Sequence, residues 1–126
     1  MNPTPYRYLR LPIDADQGFP QAVRMSFGGR NYVLSCYVNV TDEELLDRDE
    51  PLPLPQPGAF LVLEVATEEA AGTRILFRRK LVPHREYHAQ ELALLFTESA
   101  VHPRNLNASG AHNSSVVGGV ALRWAS

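Results

Sequence analysis

The sequence predicts a mainly β fold: a small antiparallel β-sandwich or partly open barrel built from hairpins, with one short helix and extended arms. Three observations carry this. Apolar and polar residues alternate through 22–27 and 32–40, the period of a strand with one buried face. Glycine pairs and proline-rich stretches punctuate the apolar segments, as turn chemistry separates short strands. The chain has 126 residues, 44% hydrophobic and 21% charged, which suits one globular domain over 1–126.

The elements follow in order. YRYLRLPI at 6–13 is aromatic enough for a strand, and Pro12 ends it or confines it to an edge. Residues 14–20 read as a loop. Val23, Met25 and Phe27 then share one face, and Tyr32, Leu34, Cys36, Val38 and Val40 share another. GGRN between them predicts a hairpin with a four-residue turn. The acidic run at 42–50 holds one helical turn over 43–46, capped by Thr41 with Glu44 in the capping-box position.

PLPLPQPG at 51–58 comes next. Proline fixes φ and lacks an amide donor, so this is an extended connector of about 3.1 Å per residue. It is expected to cross from the first hairpin to a second, burying Leu52 and Leu54 on the way or against a partner. AFLVLEV at 59–65 is a nearly continuous apolar run, the pattern of a strand covered on both faces. TRILFRRK at 73–80 completes the second hairpin, with Ile75 and Phe77 on one face and Arg74, Arg78 and Lys80 on the other. In 88–99, Leu92, Leu95 and Phe96 fall at helical spacing among helix-favouring residues, which predicts the short helix; a strand at LALLF is the alternative. Residues 102–115 form a long polar loop. The segment 116–125 closes the chain as a docking strand with Val120, Leu122 and Trp124 in alternation.

Net charge is −2, which argues against general nucleic-acid binding. One cysteine makes no internal disulfide. No apolar run approaches the roughly 18 residues of a membrane span, and no segment of signal-peptide type is present, so synthesis in the cytoplasm and no membrane association are expected.

Catalytic grammar is sparse. His84, His88 and Glu91 invite a metal, but HREYH is not the H-E-x-x-H of zinc proteases. Cys36 sits on an apolar strand face, the setting of a structural thiol. The serines and His112 of NASGAHNSS make a polar turn, not a triad. FGGRN and VGGV lack the context of a phosphate cradle. No enzymatic activity, cofactor or metal is expected.

The cations Arg74, Arg78, Arg79 and Lys80 complement the acidic run at 42–50, within one chain or between neighbours. A small β domain with such segments reads as an interaction part, with Leu52, Leu54, Arg74, Arg78, Arg79, Lys80 and Trp124 as the candidate contact residues. LPI at 11–13, FPQAVRMSFGGRNYVLSCYVN at 19–39, and FLVLEV with its charged hairpin at 60–80 resemble the plug proteins of contractile-tailed phage baseplates. The resemblance covers about half the chain. The connector is longer than that family's pattern, and 81–126 has no counterpart in it. The resemblance implies a virion protein made in the host cytoplasm. Its partners would be other tail or virion structural proteins and ring-associated copies of itself. The alternative reading is a small ligand- or carbohydrate-binding module with a concave aromatic surface built from Tyr6, Tyr8, Tyr37 and Trp124.

Overall fold

The structure is a computed structural model that describes residues 6–123. It contains β1 (Leu9–Arg10), β2 (Gln21–Phe27), β3 (Arg30–Val40), β4 (Leu52–Pro53), β5 (Ala59–Glu69), β6 (Gly72–Lys80), β7 (Glu86–Ala89), β8 (Leu92–Val101) and β9 (Ser115–Leu122). These form two antiparallel sheets, neither closed into a barrel. The first runs β2-β3-β5-β6; the second runs β1-β9-β8, with β7 and β4 both on the far side of β8. One core lies between them. Tyr32, Leu34 and Cys36 of β3 and Leu61, Leu63 and Val65 of β5 meet Leu92, Leu94 and Phe96 of β8 and Val116 and Val120 of β9.

Alternation makes the first sheet. The inward set of β3 is the set read from the sequence, and its turn is tighter than expected. Gly28 and Gly29 at φ 58° and 79° form a two-residue connection of the kind that matches strand twist. Arg30 and Asn31 therefore belong to β3. In the second sheet, Gly118 lies opposite Phe96. A Cβ there would come within 2.3 Å of the ring, so the glycine lets Phe96 lie flat across β9.

The expected helix at 88–99 is instead the β7–β8 hairpin, which turns at Gln90 with φ 56°. Leu92, Ala93, Leu94 and Phe96 are all buried. A strand between neighbours on both sides gains this burial and its ladder bonds, and these outweigh the local helix preference of Ala, Gln and Glu. The acidic run does hold a turn, the 3-10 segment Glu43–Asp47. Its cap is Asp42, whose side chain accepts from the Glu44 amide, not Thr41.

The two expected arms are not free. The proline connector passes from the first sheet to the edge of the second. Leu52 and Pro53 pair with Val101 and Ala100, and the Leu54 amide donates to Ser99 O at 2.8 Å. Leu52 and Leu54 are 1% and 3% exposed. Their expected role against a partner is corrected: they fill their own core, because a two-residue edge pairing tolerates proline where a longer ladder does not.

The 102–115 loop is tied down by Asn105, which is fully buried. Its Nδ2 lies 3.1–3.3 Å from the carbonyls of Asp16, Ala108 and Gly110, and its Oδ1 accepts from Ser114 Oγ at 2.6 Å. Asp16 Oδ1 takes the Ser114 and His112 amides. Buried polar groups hold position this way because leaving them unpaired is costly. Asn105→Ala is expected to lower stability by on the order of 3 kcal/mol. Limited proteolysis should cut residues 103–114 in the variant and spare them in the parent chain.

Candidate functional site: the outer face of the first sheet

β5 is central in its sheet. Its odd-numbered residues from Ala59 to Val65 point into the core, so Phe60, Val62, Glu64 and Ala66 point outward. Strand register sets their neighbours. Tyr37, Val62 and Lys80 form one row, and Ser35, Glu64 and Arg78 the next. Val33, Ala66 and Ile75 form a third. The outer face therefore carries an apolar strip in two parts, Tyr37, Phe60 and Val62 on one side and Val33, Ala66 and Ile75 on the other, divided by the Ser35–Glu64–Arg78 row. Among the described residues no further layer of the chain covers it.

Local side chains cover it in part. Val62 is 7% exposed and Ala66 3%. Lys80 lays its stem over the face, with Nζ 5.4 Å from the Phe60 ring centroid, a cation–π placement that leaves the ammonium in water. Tyr37 and Ile75 remain 38% and 52% exposed. Ile75 was expected to share a face with Phe77. A bulge separates them: Phe77 pairs with Val65 and Ile75 with Ala66, leaving Leu76 as the extra residue. Such a bulge shifts the alternation by one, so Phe77 stays in the core and Ile75 turns out.

The four cations of β6 divide into two pairs. Arg78 donates to Glu64 Oε1 through Nε and Nη2 at 2.8 and 2.6 Å, and this hydrogen bonding raises its pKa. Arg74 holds Glu69 at 3.0 Å, and that hydrogen bond lowers the Glu69 pKa. Both are directly cross-strand or near-neighbour contacts on exposed surface, which set register more than stability. Arg79 stacks over Phe77 at 5.7 Å and Lys80 over Phe60. Neither has a carboxylate partner within the chain among the described residues. Trp124 lies outside the described residues.

Other candidates scatter. His88 contacts Glu86 at 2.7 Å, while Glu91 pairs with Arg30; His84 sits in a turn at φ 68°. Among the described residues no group of three or more His, Cys, Asp or Glu side chains is placed to hold a metal. His102 is 4% exposed and stacks on His112. Its Nδ1 accepts from the Arg104 amide at 3.0 Å and its Nε2 lies 3.2 Å from Asp49. Ser114 Oγ is spent on Asn105, so this cluster caps a turn and activates no serine. On the outer face of the second sheet, Tyr6 and Tyr8 meet edge to face at 6.3 Å, and Tyr8 Oη donates to Glu86 at 2.7 Å. The groove beside them, lined by Tyr8, Arg10, Leu95, Thr97 and Gly119, is about 220 Å³ and open. Tyr37 is on the opposite sheet, so of the aromatic residues suggested for a ligand surface Tyr6 and Tyr8 are brought together and Tyr37 is not.

The residue pattern did not mark Tyr37, Phe60, Val62 and Ile75 as neighbours on one outer face. The signal was present in AFLVLEV, whose continuous apolar character demanded cover on two faces; the domain supplies it on one. No family model, curated protein or solved structure matches the chain. Among the described residues, no helix is long and apolar enough to cross a membrane.

Cys36 lies beneath this face, 1% exposed, and burial pushes its thiol up to about 12. The thiolate is the reactive form, so the native thiol is inert. The folded chain keeps this proton longer than the unfolded chain does. The associated stability is full below about pH 9 and is lost progressively towards pH 12. Unfolding free energies from denaturant titrations at pH 8 to 11 should fall more steeply for the parent than for Cys36→Ala, by up to about 1.4 kcal/mol per pH unit. A thiol-specific disulfide reagent should label Cys36 only on unfolding.

Proposed function

We propose that this chain is a structural component of a bacteriophage tail, a baseplate plug or tube-end adaptor that works through protein–protein contacts in a symmetric assembly. The observation that carries the reading is the apolar outer strip on β5 and its neighbours. Burying such surface contributes about 25 cal/mol per Å², and exposed apolar side chains set among charges, as Tyr37 and Ile75 are here, suit a macromolecular contact. The segments that resemble baseplate plug proteins support it further. Residues 19–39 and 60–80 account for nearly all of β2, β3, β5 and β6, so the resemblance coincides with one structural unit, the sheet that bears the strip. Partners are then tail tube and hub proteins, and neighbouring copies.

Two measurements test this. Mass spectrometry of purified phage particles is expected to find the chain in fixed ratio to tail proteins; its absence from particles, together with a sugar-dependent rise in melting temperature, contradicts the proposal. Tyr37→Asp combined with Ile75→Asp changes exposed positions, so stability should stay within about 0.5 kcal/mol of each parent position. The same variant should lose capture by the tail proteins that bind the parent chain.

A further inference from the structure

Register across the second sheet places Arg10 of β1, Gly119 of β9, Leu95 of β8 and Glu86 of β7 in one row. Val120, Leu94 and Phe96 beside this row are buried in the core, so the row itself faces outward. Gly119 adds no side chain, and Tyr8 lies against it: a Cβ there would come within 2.9 Å of the Tyr8 Cβ. Tyr8 then reaches across to β7, where its hydroxyl donates to Glu86 Oε1 at 2.7 Å. Glu86 Oε2 in turn lies 2.7 Å from His88, and Tyr6 meets both Tyr8 and His88 edge to face at 6.3 Å. The Tyr8 side chain is thus held at both ends.

Beside it runs the open groove of about 220 Å³. Tyr8, Leu95 and Val117 give it aromatic and apolar walls, Thr97 a hydroxyl and Arg10 a guanidinium. Arg10 is exposed and makes no ion pair among the described residues. Glu86 and Glu98, on the same face, are engaged elsewhere, Glu86 by Tyr8 and His88 and Glu98 by Ser115 Oγ at 2.6 Å. A planar guanidinium without a carboxylate, next to an apolar wall, suits a ligand that brings its own carboxylate. The groove is smaller than the roughly 300–1,000 Å³ of drug-sized sites, so it has room for one ring. Being open, it leaves one side of that ring in water. The ligand therefore needs an apolar face for the walls and polar groups for the solvent side, and a pyranose has both.

We propose that this groove binds a hexuronate, an acidic sugar. Its carboxylate pairs with Arg10, the C–H face of its ring packs on Tyr8 and Leu95, and a ring hydroxyl bonds Thr97. Tyr8 is fixed by Glu86 before any ligand arrives, so binding costs little ordering of that wall. The groove lies on the opposite side of the sandwich from Tyr37 and Ile75. It is independent of the tail reading and holds whether or not the chain is found in phage particles.

Titration of the full, nitrogen-15-labelled chain with sodium glucuronate, followed by amide chemical shifts, tests it. Shifts are expected at Leu95, Thr97, Gly118 and Gly119, saturating with a Kd on the order of 1 mM. Arg10→Gln should weaken binding by about tenfold, and Tyr8→Ala should abolish it. Glucose lacks the carboxylate and acetate lacks the ring, so each should bind about tenfold more weakly than glucuronate, or worse. No shift up to about 50 mM glucuronate overturns the proposal, as do shifts confined to other parts of the chain. An equal response to acetate, or an Arg10→Gln variant that binds like the parent, also overturns it. Arg10 is exposed, and an amide spectrum unchanged away from the groove verifies that its variant folds. Mass spectrometry of particles reports separately on the tail reading.

Discussion

A strand at the centre of a sheet has two faces, and β5 carries apolar residues on both, with Glu64 interrupting the outer one. That constraint organises the molecule. Ala59, Leu61, Leu63 and Val65 are 0% exposed and form the floor of the core. The second sheet is there to cover them. The opposite face has only the side chains of its own neighbours, with Tyr37 and Lys80 flanking Val62 and Arg78 bonded to Glu64. Long amphipathic side chains shield apolar surface while keeping their polar tips in water, and here they leave Tyr37 and Ile75 partly exposed.

The connections serve the same arrangement. The chain leaves β3, crosses to the second sheet as β4, and returns to begin β5. The connector was expected to run extended throughout; it is extended only where Leu52 and Pro53 lie along β8, and it then bends through 54–58 and closes a tight turn between Gln56 and Ala59, while Leu52 and Leu54 enter the core. Asn105, Asp16 and Ser114 fasten the long loop to the segment before β2. Tyr87 fastens the two sheets at another point, donating to Lys80 O and accepting from the Val82 amide. With these segments spent internally, the apolar groups left exposed on the first sheet and its acidic turn are Tyr37, Ile75 and Leu46.

Legibility in the sequence followed the strength of local pattern. The β2–β3 hairpin was readable because alternation and a glycine pair point to the same structure. The 88–99 segment was misread because Leu92, Leu95 and Phe96 satisfy a helical spacing that only the sheet environment overrides. Ile75 was assigned to the wrong face because a bulge has no signature in a short alternating run. The charged hairpin was visible as a group, but its division into satisfied and unsatisfied cations depends on which carboxylates lie across the strand. The loop at 102–115 looked like an arm because one buried asparagine, not an apolar run, holds it. Of the site, AFLVLEV announced that a cover was needed, and the three-dimensional arrangement revealed that the domain does not provide all of it.

On the proposed tail reading, the outer face of the first sheet is covered in the assembled particle. Hydroxyl-radical footprinting of Tyr37 measures this most directly, comparing the dilute purified chain with the chain in intact particles. Strong labelling in dilute solution and loss of labelling in particles is the predicted result, with Leu9, exposed on the other sheet at 56%, as the internal reference. Equal labelling of Tyr37 in both states would contradict it.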